Sequence, residues 1–156
     1  MVRLSDLHEV EQEHMRLRIS EWKPVEKAPW INPRPLKEAR VAIISTAGLH
    51  RRTDTPFTFG AVDYRLLPGD VDFKDVVVSH VSANFDRTGF QQDPNIWFPL
   101  DRLREMHSSG EIGGVAKWHY SFMGAQPNHA ALQAAGEEVG RLLAADEVDV
   151  ALLIPV

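Results

Sequence analysis

Residues 40–48 read RVAIISTAG, and the fold class turns on how that stretch is understood. It is a short continuous apolar run with no polar alternation, and it ends in small residues. A strand apolar on both faces is a parallel strand covered on both sides, and small residues at its end suit a loop leaving the carboxyl edge of a sheet. Open α/β sheets bind ligands outside that edge, so the chemistry of the chain is expected there.

Before this strand, WKPVEKAPWINPRPLKEAR carries Pro24, Pro29, Pro33 and Pro35. Each proline pushes its predecessor toward extended backbone, so the stretch reads as a connector, with Trp22 and Trp30 pinning it down. Residues 3–19 place Leu4, Leu7, Val10, His14 and Leu17 at roughly helical spacing, which predicts an amphipathic helix with a polar outer face, serving as an arm or dimer element. The chain is accordingly divided into 1–39, an N-terminal helix and proline-rich connector, and 40–156, a single α/β domain.

After the strand, LHRRTDTPFTFGAVDYRLLPGD (49–70) is too long and too charged for a simple connection and reads as a functional loop or lid. DVVVSHV (75–81) is a second strand ending in a histidine, and ANFDRTGFQQDPNIWF (83–98) is another polar loop. Residues 99–110 predict a helix, with proline near its start, Leu100 and Leu103 on one face and glycine at its close. VAKWHYSF (115–122) is a third strand. A helix over about 129–145 follows the MGAQPN turn, and VDVALLIPV (148–156) reads as a buried central strand. Strands alternating with helices predict an open α/β fold of three layers, Rossmann-like and mostly parallel. That sheet is incomplete at its C-terminal edge, where nothing follows to cover the last strand. No internal repeat or low-complexity segment appears.

Composition narrows the partners. With 156 residues, 44% hydrophobic and 25% charged, the chain fits one globular domain. A formal net charge of -5 gives no basic footprint for nucleic acid or an anionic membrane surface, leaving a small molecule or another protein. No apolar run is long enough to span a bilayer and no secretory h-region opens the chain, so the reading is cytoplasmic. The sequence holds no cysteine, which leaves His, Asp and Glu as ligands or acid–base groups.

Polar groups fall at the predicted strand ends: Thr46 and His50 after the first, His80 closing the second, His119 and Ser121 in the third. The three histidines suit acid–base roles; each also fits a half-buried histidine satisfied by backbone. Arg51, Arg52 and Asp54 suit binding of an anion or carboxylate through guanidinium forks, or an internal Arg–Asp pair on a solvated loop. His50, His80, His119 and Asp93 are zinc or iron ligand types, but no pair has tight HxH or HxxxH spacing, so no metal is assigned. AGLHRRTDTPFTFG lacks the glycine offsets of a phosphate or dinucleotide loop, and no bound cofactor is expected. Asp93-Pro94-Asn95 reads as turn chemistry, and Glu137, Glu138 and Arg141 as a solvated helix face.

Four segments taken together resemble one family: STAGLHRRTDTPF (45–57), DYRLLPGDV (63–71), the long stretch VVVSHVSANFDRTGFQQDPNIWFPLDRLREMHSSGEIGGVAKWHYSFMG (76–124), and VDVALLIPV (148–156). They are similar to the selenoprotein B family of glycine, sarcosine, betaine and D-proline reductases, particularly its short single-domain members, from about Pro29 onward. In that family the strand similar to VDVALLIPV leads directly into a selenocysteine or cysteine, and a further helix and strand follow. The resemblance therefore implies a reductase-like protein whose nucleophile is missing from this chain and expected directly after Val156. A UGA codon read as a stop, a natural truncated paralogue and a deliberately trimmed chain remain alternative origins of that ending.

The implied chemistry is attack of a selenolate or thiolate on a carbon bearing a cationic amino group, with reductive C–N cleavage and regeneration by a thiol reductant. On that resemblance His50, His80 and His119 would serve as proton donors, and Arg51 or Arg52 would hold a substrate carboxylate. The 156-residue form is expected to lack the activity and to keep ligand binding, with a small-molecule substrate and a homo-oligomeric state. The alternatives are a non-catalytic binding or regulatory subunit that associates through residues 1–30, or a histidine-based, metal-dependent lyase or hydrolase.

Overall fold

The computed structural model describes residues 3–21, 31–81, 87–124, 126 and 128–156. The chain divides into two units, residues 1–32 and 33–156. In the first unit a short 3-10 turn at Leu4–Asp6 precedes helix α1 (Glu9–Glu21), none of whose residues is buried. Val10 and Leu17 share one side of this helix while Met15 and Ile19 lie on the other, and all four are exposed. The expected single apolar stripe is therefore absent. Trp22, Pro24, Pro29 and Trp30 of the connector lie outside the described residues.

The second unit comprises strands β1 (Arg40–Ser45), β2 (Leu49–Arg51), β3 (Tyr64–Pro68) and β4 (Val76–Val78), helices α2 (Thr88–Gln92) and α3 (Leu100–Ser108), strands β5 (Gly114–Val115) and β6 (Trp118–Phe122), helix α4 (Gln133–Ala145) and strand β7 (Val150–Ile154). It is an α/β fold with a mostly parallel sheet. β1 runs through its middle, parallel to β7 on one side and to β5 and then β6 on the other. β3 adds an antiparallel edge beyond β6. β2 and β4 form a separate antiparallel pair.

The local reasons are ordinary. VAII in β1 is rich in β-branched residues and carries no turn former, and Val41, Ala42 and Ile43 are all buried. α3 buries Leu100 and Leu103, one turn apart, and ends where Gly110 takes a φ of 78° and the Glu111 N–H reaches the Met106 carbonyl. α4 carries Ala135, Val139, Leu142 and Leu143 at helical spacing against Tyr120 and Phe122 of β6. A second cluster joins Val41 and Ile43 to Leu67, Trp97, Phe98 and Leu103.

The strand opposite β1 is interrupted. Val41 pairs with Val115 and Ile44 with Tyr120, so the two residues 42–43 face the four residues 116–119. Two extra residues in one strand leave ladder groups without their normal partners. Side chains take them up. His119 Nδ1 accepts the Ile43 N–H at 2.9 Å in the middle of β1. Asp146, just past α4, accepts the Lys117 and Trp118 N–H groups at 2.8 and 3.3 Å through one oxygen and the Arg40 guanidinium through the other. The chain turns from α4 into β7 at Glu147, which holds a φ of 54° while its N–H reaches Ala144 and the Val148 N–H reaches Leu143. Glycine usually fills that position.

Three sequence-based expectations change. The 49–70 loop supplies two strands, β2 and the edge strand β3, with an irregular stretch between them. The second strand covers only Val76–Val78 and pairs with β2 outside the main sheet, because β6 takes the place beside β1. The run 148–156 is not central: β7 pairs with β1 alone among the described residues, and Leu153 is 67% exposed.

Two outcomes follow for stability. Burial holds His119 down at about 4, below the ordinary 6.5, with Arg104 adding to the effect. Its neutral form is the one the fold accommodates, so the unfolded chain binds more protons across that interval. The contribution is fully present above pH 6.5 and is lost as pH falls toward 4, amounting to about 3 kcal/mol. Urea denaturation at pH 7 and 4.5 should show this loss, and His119→Gln, which keeps an acceptor for Ile43 but does not titrate, should flatten it; equal pH slopes would refute the role. Separately, Glu147→Gly should stabilise by about 1 kcal/mol or less by relieving the left-handed backbone. An unchanged or lower melting temperature would show that Glu147 is not strained.

Candidate active site

The carboxyl ends of β1, β6 and β7 meet at one place. Thr46, the residue after β1, donates its N–H to the Ile154 carbonyl at 3.1 Å. Its hydroxyl accepts the Val156 N–H at 2.8 Å and donates to the Val156 carbonyl at 3.2 Å. Gly124, just past β6, packs against the same point: a Cβ built on it would lie 2.6 Å from the Val156 carbonyl oxygen, 2.8 Å from the Thr46 carbonyl oxygen and 2.5 Å from His80 Nε2. His80 arrives from the other sheet, two residues beyond β4, and is buried at 4% exposure.

Electrostatics at His80 are set by that burial. Desolvation lowers its pKa below 6.5, the nearby Val156 backbone opposes the shift, and the positive charge of Arg87 adds to it. Arg87 also donates to the His80 carbonyl at 2.8 Å. The imidazole is therefore neutral near pH 7, and once protonated it is a stronger acid than a free histidine.

The other expected site residues are engaged elsewhere. His50 is buried in β2; its Nδ1 lies 2.7 Å from the Arg51 carbonyl and its Nε2 2.7 Å from the Ser79 hydroxyl. Nδ1 therefore carries the proton and Nε2 accepts from Ser79. His119 spends Nδ1 on the Ile43 N–H, and its ring meets Phe98 edge-on at 5.5 Å. The Ser121 hydroxyl accepts the Leu49 N–H at 2.7 Å, which ties β6 to the start of β2. Arg51 forks onto Asp54 at 2.9 and 3.2 Å, and Arg52 donates to the Lys74 carbonyl at 2.8 Å. Thr46 and His80 are thus brought together at Val156. The Arg51–Asp54 pair closes within its own turn.

The sequence reading passed over Ser45, Gly48, Ser79 and Gly124. Ser45 is fully buried and donates to the Trp97 carbonyl at 2.9 Å while accepting the Ala47 N–H at 3.2 Å. A glycine directly after a strand is the available signal for a close backbone approach, and both STAG and SFMG carry one. A groove of about 680 Å³ lies at the opposite, amino end of the strands, around Arg34, Arg40, His107, Glu147 and Asp149. Its guanidinium groups are already matched by carboxylates, Arg34 with Asp149 at 3.6 Å and Arg40 with Asp146 at 3.2 Å, so neither is left over to receive an anion. Among the described residues no three His, Asp or Glu side chains group closely enough to hold a metal ion, and no helix is long and apolar enough to cross a membrane.

The chain is 32% identical over 134 residues to the D-proline reductase subunit gamma of Acetoanaerobium sticklandii, covering 85% of this chain and 52% of that protein. It is 26% identical over 111 residues to the betaine reductase complex component B subunit beta of Peptoclostridium acidaminophilum, covering 67% of this chain and 25% of that one. The chain thus spans about half or less of the length of these relatives. No solved structure matches it. The family model for glycine/sarcosine/betaine reductase selenoprotein B matches residues 6–155, nearly the whole sequence, and the chain belongs to that family.

Proposed function

We propose that the chain is the catalytic-cleft portion of a reductase subunit that carries out reductive C–N cleavage of a small amino-acid-like amine, working within a complex of protein partners. The observation that carries the reading is the meeting of Thr46, His80 and the backbone of Val156 at the carboxyl edge of the sheet, in a chain of this family. The three-layer, Rossmann-like arrangement, self-association and a cytoplasmic place of action belong to the same proposal.

The sequence contains no cysteine. We place the family's selenocysteine or cysteine at the residue that would follow Val156. A selenolate or thiolate there would supply the nucleophile for the carbon bearing the amino group, with a thiol reductant restoring it. The residues present fit such a group, because Thr46 is hydrogen-bonded to the backbone of Val156 and His80 lies beside it, so a residue joined to Val156 would begin next to both. The cationic amino group leaves with the C–N electron pair as a neutral amine and needs no proton from the chain; His80, neutral near pH 7, acts as the base that takes the proton of the selenol or thiol as it becomes the attacking anion. Thr46 holds the end of β7 in register with β1 through its two hydrogen bonds to Val156. His119 and His50 support the sheet from their bonds to Ile43 and Ser79.

The test is to sequence the reading frame through the codon after Val156 and to assay C–N cleavage of glycine, sarcosine, betaine and D-proline with dithiothreitol. The expected result is an in-frame UGA or cysteine codon, cleavage of at least one substrate by the product carrying that residue, none by residues 1–156 alone, and a loss of about 10²-fold or more for His80→Asn. A frame with neither codon, or cleavage indifferent to the chalcogen, would overturn the reading.

A further inference from the structure

Two glycines close on His80, one on its backbone and one on its ring. Gly48, three residues beyond β1, has a φ of 66°; a Cβ on it would lie 3.1 Å from the His80 nitrogen, 3.3 Å from its Cα and 2.9 Å from Met123 Cε. Its carbonyl accepts the Ser79 N–H at 2.9 Å, which draws the β4 exit down onto it. Gly124, two residues beyond β6, faces the ring instead, with the Cβ position 2.5 Å from His80 Nε2. Carbon packs comfortably at about 3.5–4.0 Å, so a methyl group at either position forces something to move. At Gly124 two of the three obstructing atoms are the backbone oxygens of Thr46 and Val156, just beyond the paired residues of β1 and β7 and tied together through the Thr46 hydroxyl and N–H, which leaves the imidazole as the part that can yield.

We propose that Gly48 and Gly124 are positioning residues for His80, with Gly48 admitting its backbone and Gly124 setting the imidazole against the Val156 end of β7. The inference rests on the reading of His80 as the acid–base group, since such a group acts only when its ring is held within hydrogen-bond reach of the reacting atoms. A glycine conserving space for packing alone would have no bearing on how the ring titrates. Gly124 does bear on it, because the burial and the Val156 contact that it permits, together with Arg87, are the influences acting on the ring.

The experiment is imidazole nitrogen NMR of the histidine-labelled chain and its Gly124→Ala variant across pH 4–8. In the variant the His80 midpoint should rise toward the ordinary 6.5 as the ring swings out of its buried place, while the His50 and His119 signals stay put and report an intact fold. An unchanged His80 midpoint in a folded Gly124→Ala chain would overturn the proposal, whatever its activity. If that variant does not fold, the unsubstituted chain decides: a nuclear Overhauser contact between the Gly124 α-protons and the His80 ring supports the placement, and its absence overturns it. Should the midpoint move as expected while His80→Asn leaves C–N cleavage untouched, the positioning role stands and the acid–base reading falls.

Discussion

The fold depends on how β1 survives the break in its neighbour. Two extra residues between β5 and β6 take the ladder out of step opposite Ala42 and Ile43, both fully buried in the middle of β1. A buried N–H left without a partner there would cost about 1–3 kcal/mol. His119 removes that cost by turning its own ring into the acceptor for Ile43, and Asp146 does the same for the two N–H groups that the bulge turns outward. Both side chains act as substitute carbonyls.

The bulge also has a functional consequence through register. By adding two residues before β6, it brings Tyr120 and Ser121 level with Ile44 and Ser45, so that Gly124 emerges beside Thr46. β7 keeps an unbroken register with β1 from Val41 to Ser45 and delivers Val156 to the same spot. The small β2–β4 pair then carries His80 across from outside the sheet, over Gly48. The three strand ends and the histidine converge because the β1–β6, β1–β7 and β2–β4 registers agree. The same bond that supports β1 explains why His119 is a poor proton carrier: one ring nitrogen is committed and burial keeps the ring neutral.

Arginine and aspartate in the HRRTD stretch illustrate a different balance. Residues three apart in a tight turn can satisfy each other without help from the rest of the chain, and Arg51 and Asp54 do so with a two-point fork. An exposed pair of this kind adds little to stability, but it does occupy the groups that would otherwise greet an anion. His50 meets a similar fate at longer range, held between the Arg51 carbonyl and the Ser79 hydroxyl.

The sequence by itself determined the parts that depend on local pattern. RVAIIS could be read as a central parallel strand because it is apolar on both faces, and residues 99–110 as a helix because proline, paired leucines and glycine mark its limits. The family resemblance was equally legible, since it is carried by strings of residues. Tertiary structure alone decided which strand lies beside which, that β3 would form inside a polar loop, and that β7 would pair with β1; pairing is chosen by surfaces brought together from distant parts of the chain. It also decided which histidine reaches the carboxyl edge. His50, His80 and His119 look alike in sequence, and only the bulge, the strand registers and two glycines with no side chain to exclude a neighbour separate the one that meets Val156 from the two that hold the backbone together.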